Sequence, residues 1–317
     1  MNYKIDDIIV KLVPYKINDK LRGKDIKSQY GVDMIKAKSI WSESKKGEGI
    51  KIAVIDSGCD INHDSIKDNI IGVRNFTDED RKNQNIVIDR VGHGTHVVGI
   101  IAAKGQNNTV VGVAPDVGIY VLKAIDRTGS GKLSWVVNAI NYAVKLKVDI
   151  ISMSLGMSQS NGKLERAIKE AINKDILVVC AAGNDGDGNS ESFEYSYPAA
   201  YPDVISVGAV DKNGVPASFS NSNLAIDLLA PGVNILSTFP NNQFAILSGT
   251  SMAAPHVSGS LALLKNWSYK EFQRNLSQRE LYAQLIKHTK LLDYSRTTQG
   301  NGLVYLEEYK IKKKIKY

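Results

Sequence analysis

The sequence lacks the long apolar run of a membrane-crossing helix: nowhere in its 317 residues does an apolar stretch approach roughly 18 positions. No membrane partner is expected. It also lacks a secretory opening, which needs a basic start, an unbroken apolar stretch and a small-residue cleavage site. Asp6 and Asp7 interrupt the start, and the apolar run Ile8-Ile9-Val10 stops at Lys11. A cytoplasmic location is expected. Cysteine is scarce, with Cys59 and Cys180 alone; two residues make no disulfide framework and read as buried free thiols. The tail 310–317 carries five lysines of the net charge of +7. No aromatic residue interleaves those lysines, so the tail reads as a solvated terminus and nucleic acid is excluded as a partner.

What is present is the material of a sizeable core: 43% apolar and 23% charged residues. From about residue 50, short apolar runs at 51–55, 119–122, 148–151, 176–179 and 204–207 alternate with helical patterns at 135–146 and 164–173. Strands apolar on both faces and separated by helices predict an α/β fold, a doubly wound and mainly parallel sheet with helices on both faces, in one catalytic domain. Ligands of such sheets bind beyond the carboxyl ends of the strands. Residues 1–20 do not join this rhythm and read as a separate strand-like arm, linked through the polar stretch 18–29.

Several chemically capable residues fall just after strands. Asp56 follows the first strand in Val54-Ile55-Asp56-Ser57-Gly58, where an acid also suits a turn cap. His93 stands in Gly92-His93-Gly94-Thr95-His96 at the opening of a helix that runs on through Val97 and Ala102. His93 and His96 have no Cys or carboxylate at metal-ligand spacing to complete a zinc set. Ser251 lies in Ser248-Gly249-Thr250-Ser251-Met252-Ala253-Ala254-Pro255-His256-Val257, at a helix start. A serine there is an ordinary N-cap, yet the same free N–H groups favour developing negative charge. Pro255 is tolerable if it falls in the first turn. Asn184 ends Ala181-Ala182-Gly183-Asn184, as a turn residue or as an amide aimed at an oxyanion.

These segments, in this order, resemble the subtilisin family of serine endopeptidases over nearly all of residues 45–270. The resemblance implies a triad of Asp56, His93 and Ser251, with Asn184 in the oxyanion hole. It implies that an extended peptide lies as an added strand between Gly129-Ser130-Gly131 and Ser154-Leu155-Gly156. Ala182 and Gly183 then wall the main specificity pocket, with Asp185 at its rim. Leu12-Val13-Pro14-Tyr15 is similar to a segment of the intracellular subtilisins of Bacillus-like bacteria. Such relatives carry a short N-terminal extension that lies across the active site until it is removed. The expected organisation is an inhibitory extension at 1–20, a peptidase domain at 21–309 and a basic tail at 310–317. Pro14 has no N–H for a strand ladder, and is expected to bulge the arm and hold its peptide bonds away from Ser251.

The resemblance implies protein and peptide substrates, broad specificity, a homodimer and calcium. The family's tight calcium site is put in doubt by His63-Asp64-Ser65, where the acid is displaced by one position. Lys104, in the loop 104–109, also stands near the expected cation. A weaker site is implied at the carbonyls of Ala199, Tyr201 and Val204 with Asp227, although Ala225 replaces a usual acid. Two other readings stand beside the broad endopeptidase: a maturation protease with one substrate, and a catalytically silent binding module.

Overall fold

A computed structural model describes residues 8–21, 30–105 and 109–307. The lysine tail and the first seven residues lie outside these. A nine-stranded sheet forms the centre, in the order Thr289–Lys290, Leu303–Val304, Leu228–Pro231, Ile205–Val210, Leu177–Ala181, Ile150–Met153, Lys51–Asp56, Gly118–Lys123 and Ile70–Asn75. All neighbours pair in parallel except the first two.

Successive strand residues serve opposite faces, as the pleat requires. Ile52 and Val54 join one buried cluster, and Ala53 and Ile55 the other. The helices His93–Ala102 and Thr250–Phe272 cover the first face; Leu133–Leu146 and Gly162–Asn173 cover the second. Gly162–Asn173 shows why such segments are helical. Leu164, Ala167, Ile168, Ala171 and Ile172 make one buried stripe, and the Asn161 side chain caps the start by accepting from the Lys163 N–H.

The first half of Thr250–Phe272 is buried on every side, from Thr250 to Leu264. Pro255 sits in its second turn rather than its first, so the expected reason for its tolerance does not hold. A proline at 255 leaves the Ser251 carbonyl without its helical donor. The Ser154 hydroxyl takes that place, donating to Ser251 O at 3.0 Å.

The arm departs from expectation in extent. Ile9–Leu12 is one strand, and Lys16–Leu21 is a second that pairs antiparallel with Gln243–Ser248. Part of the polar stretch expected to be a linker is therefore strand; residues 22–29 lie outside the described residues. Cys59 and Cys180 are buried and unpaired by disulfide, as expected.

Two buried histidines make the fold sensitive to acid. The ring N–H of His96 donates to Ile235 O at 3.1 Å and Ala245 O at 3.0 Å, and that of His256 to Met252 O at 2.8 Å. Burial pulls their pKa values down to about 3 and about 4, and the second ring nitrogen of each has no partner among the described residues. An unfolded histidine takes its proton near 6.5, whereas these folded ones do not until well below. As pH falls from 6.5 towards 4, the unfolded state binds more protons and stability drops, by about 1.4 kcal/mol per pH unit for each histidine. Urea midpoints of Ser251→Ala at falling pH are expected to decline across this window, with a shallower slope in His256→Gln. A flat profile contradicts the assignment.

Candidate active site

Asp56 is the last residue of Lys51–Asp56, at the carboxyl edge of the sheet, and is buried. Its Oδ1 accepts from the Ser57 N–H at 2.7 Å and lies 2.8 Å from His93 Nδ1. A carboxylate can only accept, so Nδ1 carries a proton, and in the neutral ring Nε2 presents its lone pair. Among the described residues Nε2 has no hydrogen-bond partner, and neither has Asp56 Oδ2. His93 opens its helix behind Gly92, whose φ of 92° is left-handed. A Cβ there would meet the Phe239 ring at 2.2 Å, so only glycine lets the backbone pass this close to that ring.

Asp89 ties these pieces together. Its Oδ1 accepts from the Ser57 hydroxyl at 2.9 Å and from the N–H groups of Val91 and Gly92 at 3.1 and 2.7 Å. Its Oδ2 accepts from the Thr95 N–H and hydroxyl at 2.8 and 2.7 Å. The Ser57 hydroxyl in turn accepts from Gly94 N–H at 3.0 Å. One buried carboxylate thus joins the residue after Asp56 to the first turn of the helix that carries His93. The adjoining strand ends in Lys123, fully buried, whose ammonium donates to Ser57 O at 2.6 Å and Ile125 O at 3.0 Å. Sequence reasoning missed both. An acid four residues before a helical histidine reads as a helix-start signal, and nothing in that signal points to Ser57.

Ser251 lies in the first turn of Thr250–Phe272. Its hydroxyl donates to Ser154 O at 3.4 Å rather than to His93. Catalytic hydrogen bonds are often loose without a reacting substrate. Asn184 follows the strand Leu177–Ala181, and its Oδ1 accepts from Thr250 N–H at 2.9 Å. That bond fixes which way the side-chain amide points: Nδ2 donates to the Pro14 carbonyl. Asn221 supports the loop, accepting from Asp185 N–H at 2.7 Å and donating to Ala182 O at 3.1 Å.

The six residues expected to edge a peptide cleft all meet the arm. Val10 stands opposite Gly131, Lys11 opposite Ser130 and Gly156, and Leu12 opposite Leu155. The Leu12 and Val13 N–H groups donate to Gly129 O at 3.0 Å and Ser154 O at 3.3 Å. Gly183 and Asp185 line a cavity of about 400 Å³ beside Leu12, Val13 and Pro14, with Ala182 buried behind. The Tyr15 ring lies 4.7 Å from the His93 ring, centroid to centroid. With no N–H to pair, Pro14 forms the break between the two arm strands, and that break delivers its carbonyl to Asn184.

At the weaker calcium site that the resemblance implies, both carboxylate oxygens of Asp227 already accept hydrogen bonds. Asp227 Oδ1 accepts from the Tyr282 hydroxyl at 2.5 Å and Oδ2 from Ser206 N–H at 2.8 Å. Burial pushes its carboxyl up, which favours the uncharged form. At the doubtful tight site, Asp64 pairs with Lys67 and Asn242, and Lys104 with Asp116. Residues 106–108 lie outside the described residues. Among the described residues, no group of three or more His, Cys, Asp or Glu is placed to hold a metal.

This geometry agrees with comparison to known proteins. Residues 47–305 match the family model described as the subtilase family. The chain belongs to the subtilase family. Calcium binding is common among subtilases. The major intracellular serine protease of Bacillus subtilis (strain 168) is 49% identical over 298 residues, covering 94% of this chain and 93% of the relative. The intracellular serine protease of Paenibacillus polymyxa is 48% identical, covering 94% and 90%. Subtilisin E of Bacillus subtilis is 42% identical over 235 residues, covering 74% and 60%. As a subtilase the chain is a serine endopeptidase, and the His93–Asp56 pair fits its triad.

Replacing Asp89 by Asn sets an amide N–H₂ against groups that are all donors. Asp89→Asn is expected to lower kcat with little change in KM, and to reduce stability by about 1–3 kcal/mol. Michaelis kinetics beside thermal unfolding check this. A purely structural residue would lower stability without changing the kcat of the folded fraction.

Proposed function

We propose that this chain is an intracellular endopeptidase of broad specificity, made as a zymogen whose N-terminal arm, described from Ile8 to Leu21, fills its own cleft. One observation carries the reading: the Pro14 carbonyl accepts from the Asn184 amide while the arm backbone pairs with both cleft edges. A substrate strand makes the same kind of contact.

In the active form His93 Nε2 takes the Ser251 proton as Oγ attacks the substrate carbonyl, and Asp56 stabilises the imidazolium. Asn184 Nδ2 and the Ser251 N–H hold the oxyanion at the positive end of a long helix. His93 returns the proton to the leaving amine, and water releases the acyl group from Ser251. No step is routed through calcium.

Two features support an arm that resists cutting. The Ser251 hydroxyl is directed to Ser154 O, away from the role of nucleophile. The Tyr15 ring covers His93, and burial pushes its phenol up to about 12, so it stays neutral beside the imidazole. Recognition through backbone pairing supports broad specificity, because every residue except proline offers the same N–H and C=O groups. An intracellular location is supported by the two relatives named as intracellular serine proteases.

The test is a time course of the full chain beside Ser251→Ala, read by intact mass and casein hydrolysis. Wild type is expected to lose its arm by cleavage between Leu21 and Tyr30, with activity rising as the mass falls. Ser251→Ala should keep its mass, with a loss of about 10⁶ in turnover, the size known for the serine of subtilisin. Full activity in the uncut chain sinks the zymogen; a processed enzyme that leaves casein intact sinks broad specificity. Sedimentation of the same samples tests the homodimer.

A further inference from the structure

We infer that the cavity beside Phe239 is a distal subsite for a basic side chain of the substrate, six residues after the cleaved bond. The inference rests on reading the arm as lying where a substrate lies. With the Pro14 carbonyl at Asn184, Pro14 takes the position before the cleaved bond and Tyr15 the first position after it. The chain then follows the edge strand Gln243–Ser248, with Lys16 opposite Ser248, Ile17 opposite Leu247, Asp19 opposite Ile246 and Lys20 opposite Ala245. Asn18 is the extra residue of a bulge. Its side chain donates to Asn234 Oδ1 at 2.5 Å and accepts from the Ser248 hydroxyl at 3.1 Å. This register carries the sixth residue, Lys20, onto Phe239.

The Lys20 ammonium lies 4.8 Å from the Phe239 ring centroid, within the range of a cation–π contact. Both residues line a cavity of about 720 Å³ that reaches the segment from Cys59 to Asn62 and that from Asn85 to Gly92. One ammonium does not fill such a space, so longer or broader cations fit. Phe239 is 7% exposed and packs against Gly92, which holds the ring in place. The cavity also presents Asp60. Its carboxylate accepts only from the N–H groups of Asn62, Asn241 and Asn242, and it forms no ion pair among the described residues. Arg90 lines the same space, but its charge is matched by Asp80 at 2.5 Å. The net field at the ring therefore favours a cation and opposes an anion.

This contact serves twice. In the intact chain it fastens the far end of the arm; after processing it is free for incoming polypeptide. Substrates that reach it need at least six residues beyond the cut, which favours long unfolded chains over short peptides.

The test uses internally quenched peptides with a cleavable bond followed by the sequence of residues 15–21. They carry Lys, norleucine or Glu at the position of Lys20. Each is assayed on whichever form of the enzyme is active, processed or intact. The expected order of kcat/KM is Lys, then norleucine, then Glu, with Lys favoured over norleucine about two- to five-fold. Raising the salt should narrow the gap between Lys and Glu. In Phe239→Leu the Lys-to-norleucine ratio should fall to one; a ratio taken within one enzyme is indifferent to any general loss of activity. Equal rates for the three peptides in wild type, or a ratio that survives Phe239→Leu, overturns the subsite and leaves the endopeptidase reading standing. No turnover of any peptide overturns both.

Discussion

A 2.8 Å hydrogen bond between Asp56 and His93 joins a strand end to a helix start, and the rest of the molecule is arranged so that this bond can exist. Neither group tolerates burial alone, because a lone carboxylate or a misplaced imidazole in a dry interior is costly. Asp89 fixes the helix start against Ser57, and Lys123 fixes the Ser57 carbonyl from the adjoining strand. The pair is held by a shell of buried polar contacts rather than by its own attraction. A functional geometry needs this kind of support, since small displacements at the reacting groups cost large factors in rate.

The same economy of contacts links nucleophile and cleft. Pro255 removes one helical hydrogen bond, and Ser154, a residue of the cleft wall, fills the gap at the Ser251 carbonyl. The Ser251 hydroxyl answers by donating to Ser154 O. Thr250 links similarly to Asn184 and Gly183. Ser154, Ser251 and Asn184 thus belong to one network, and under the proposed function a peptide in the cleft touches all three.

Most of the sheet was legible in the sequence because parallel strands are apolar on both faces. Residues 51–55 and 176–179 announce themselves, with ends shifted by a residue or two. The pairing of Asp56 with His93 was legible through motif order, which joins two residues whose roles stay open when each is read alone. The strand-like character of residues 1–20 was legible, but not that the arm makes a second strand of its own. Lys16–Leu21 is polar and largely exposed, so no burial pattern distinguishes it from a linker, and only pairing with a distant edge makes it a strand. Asp89 was hidden because the partner that gives it its linking role, Ser57, comes from another segment. The contact at Asp227 was hidden for the same reason: its donor, Tyr282, lies 55 residues further along the chain.

The account's central claim is that a competent serine lies beneath a removable arm. The most direct measurement is the rate at which a fluorophosphonate labels the protein before and after arm removal, with the labelled residue mapped by mass spectrometry. The account predicts a label on Ser251, slow in the intact chain and fast once the arm is gone. Equal rates in the two forms, or a label on any other residue, would contradict it.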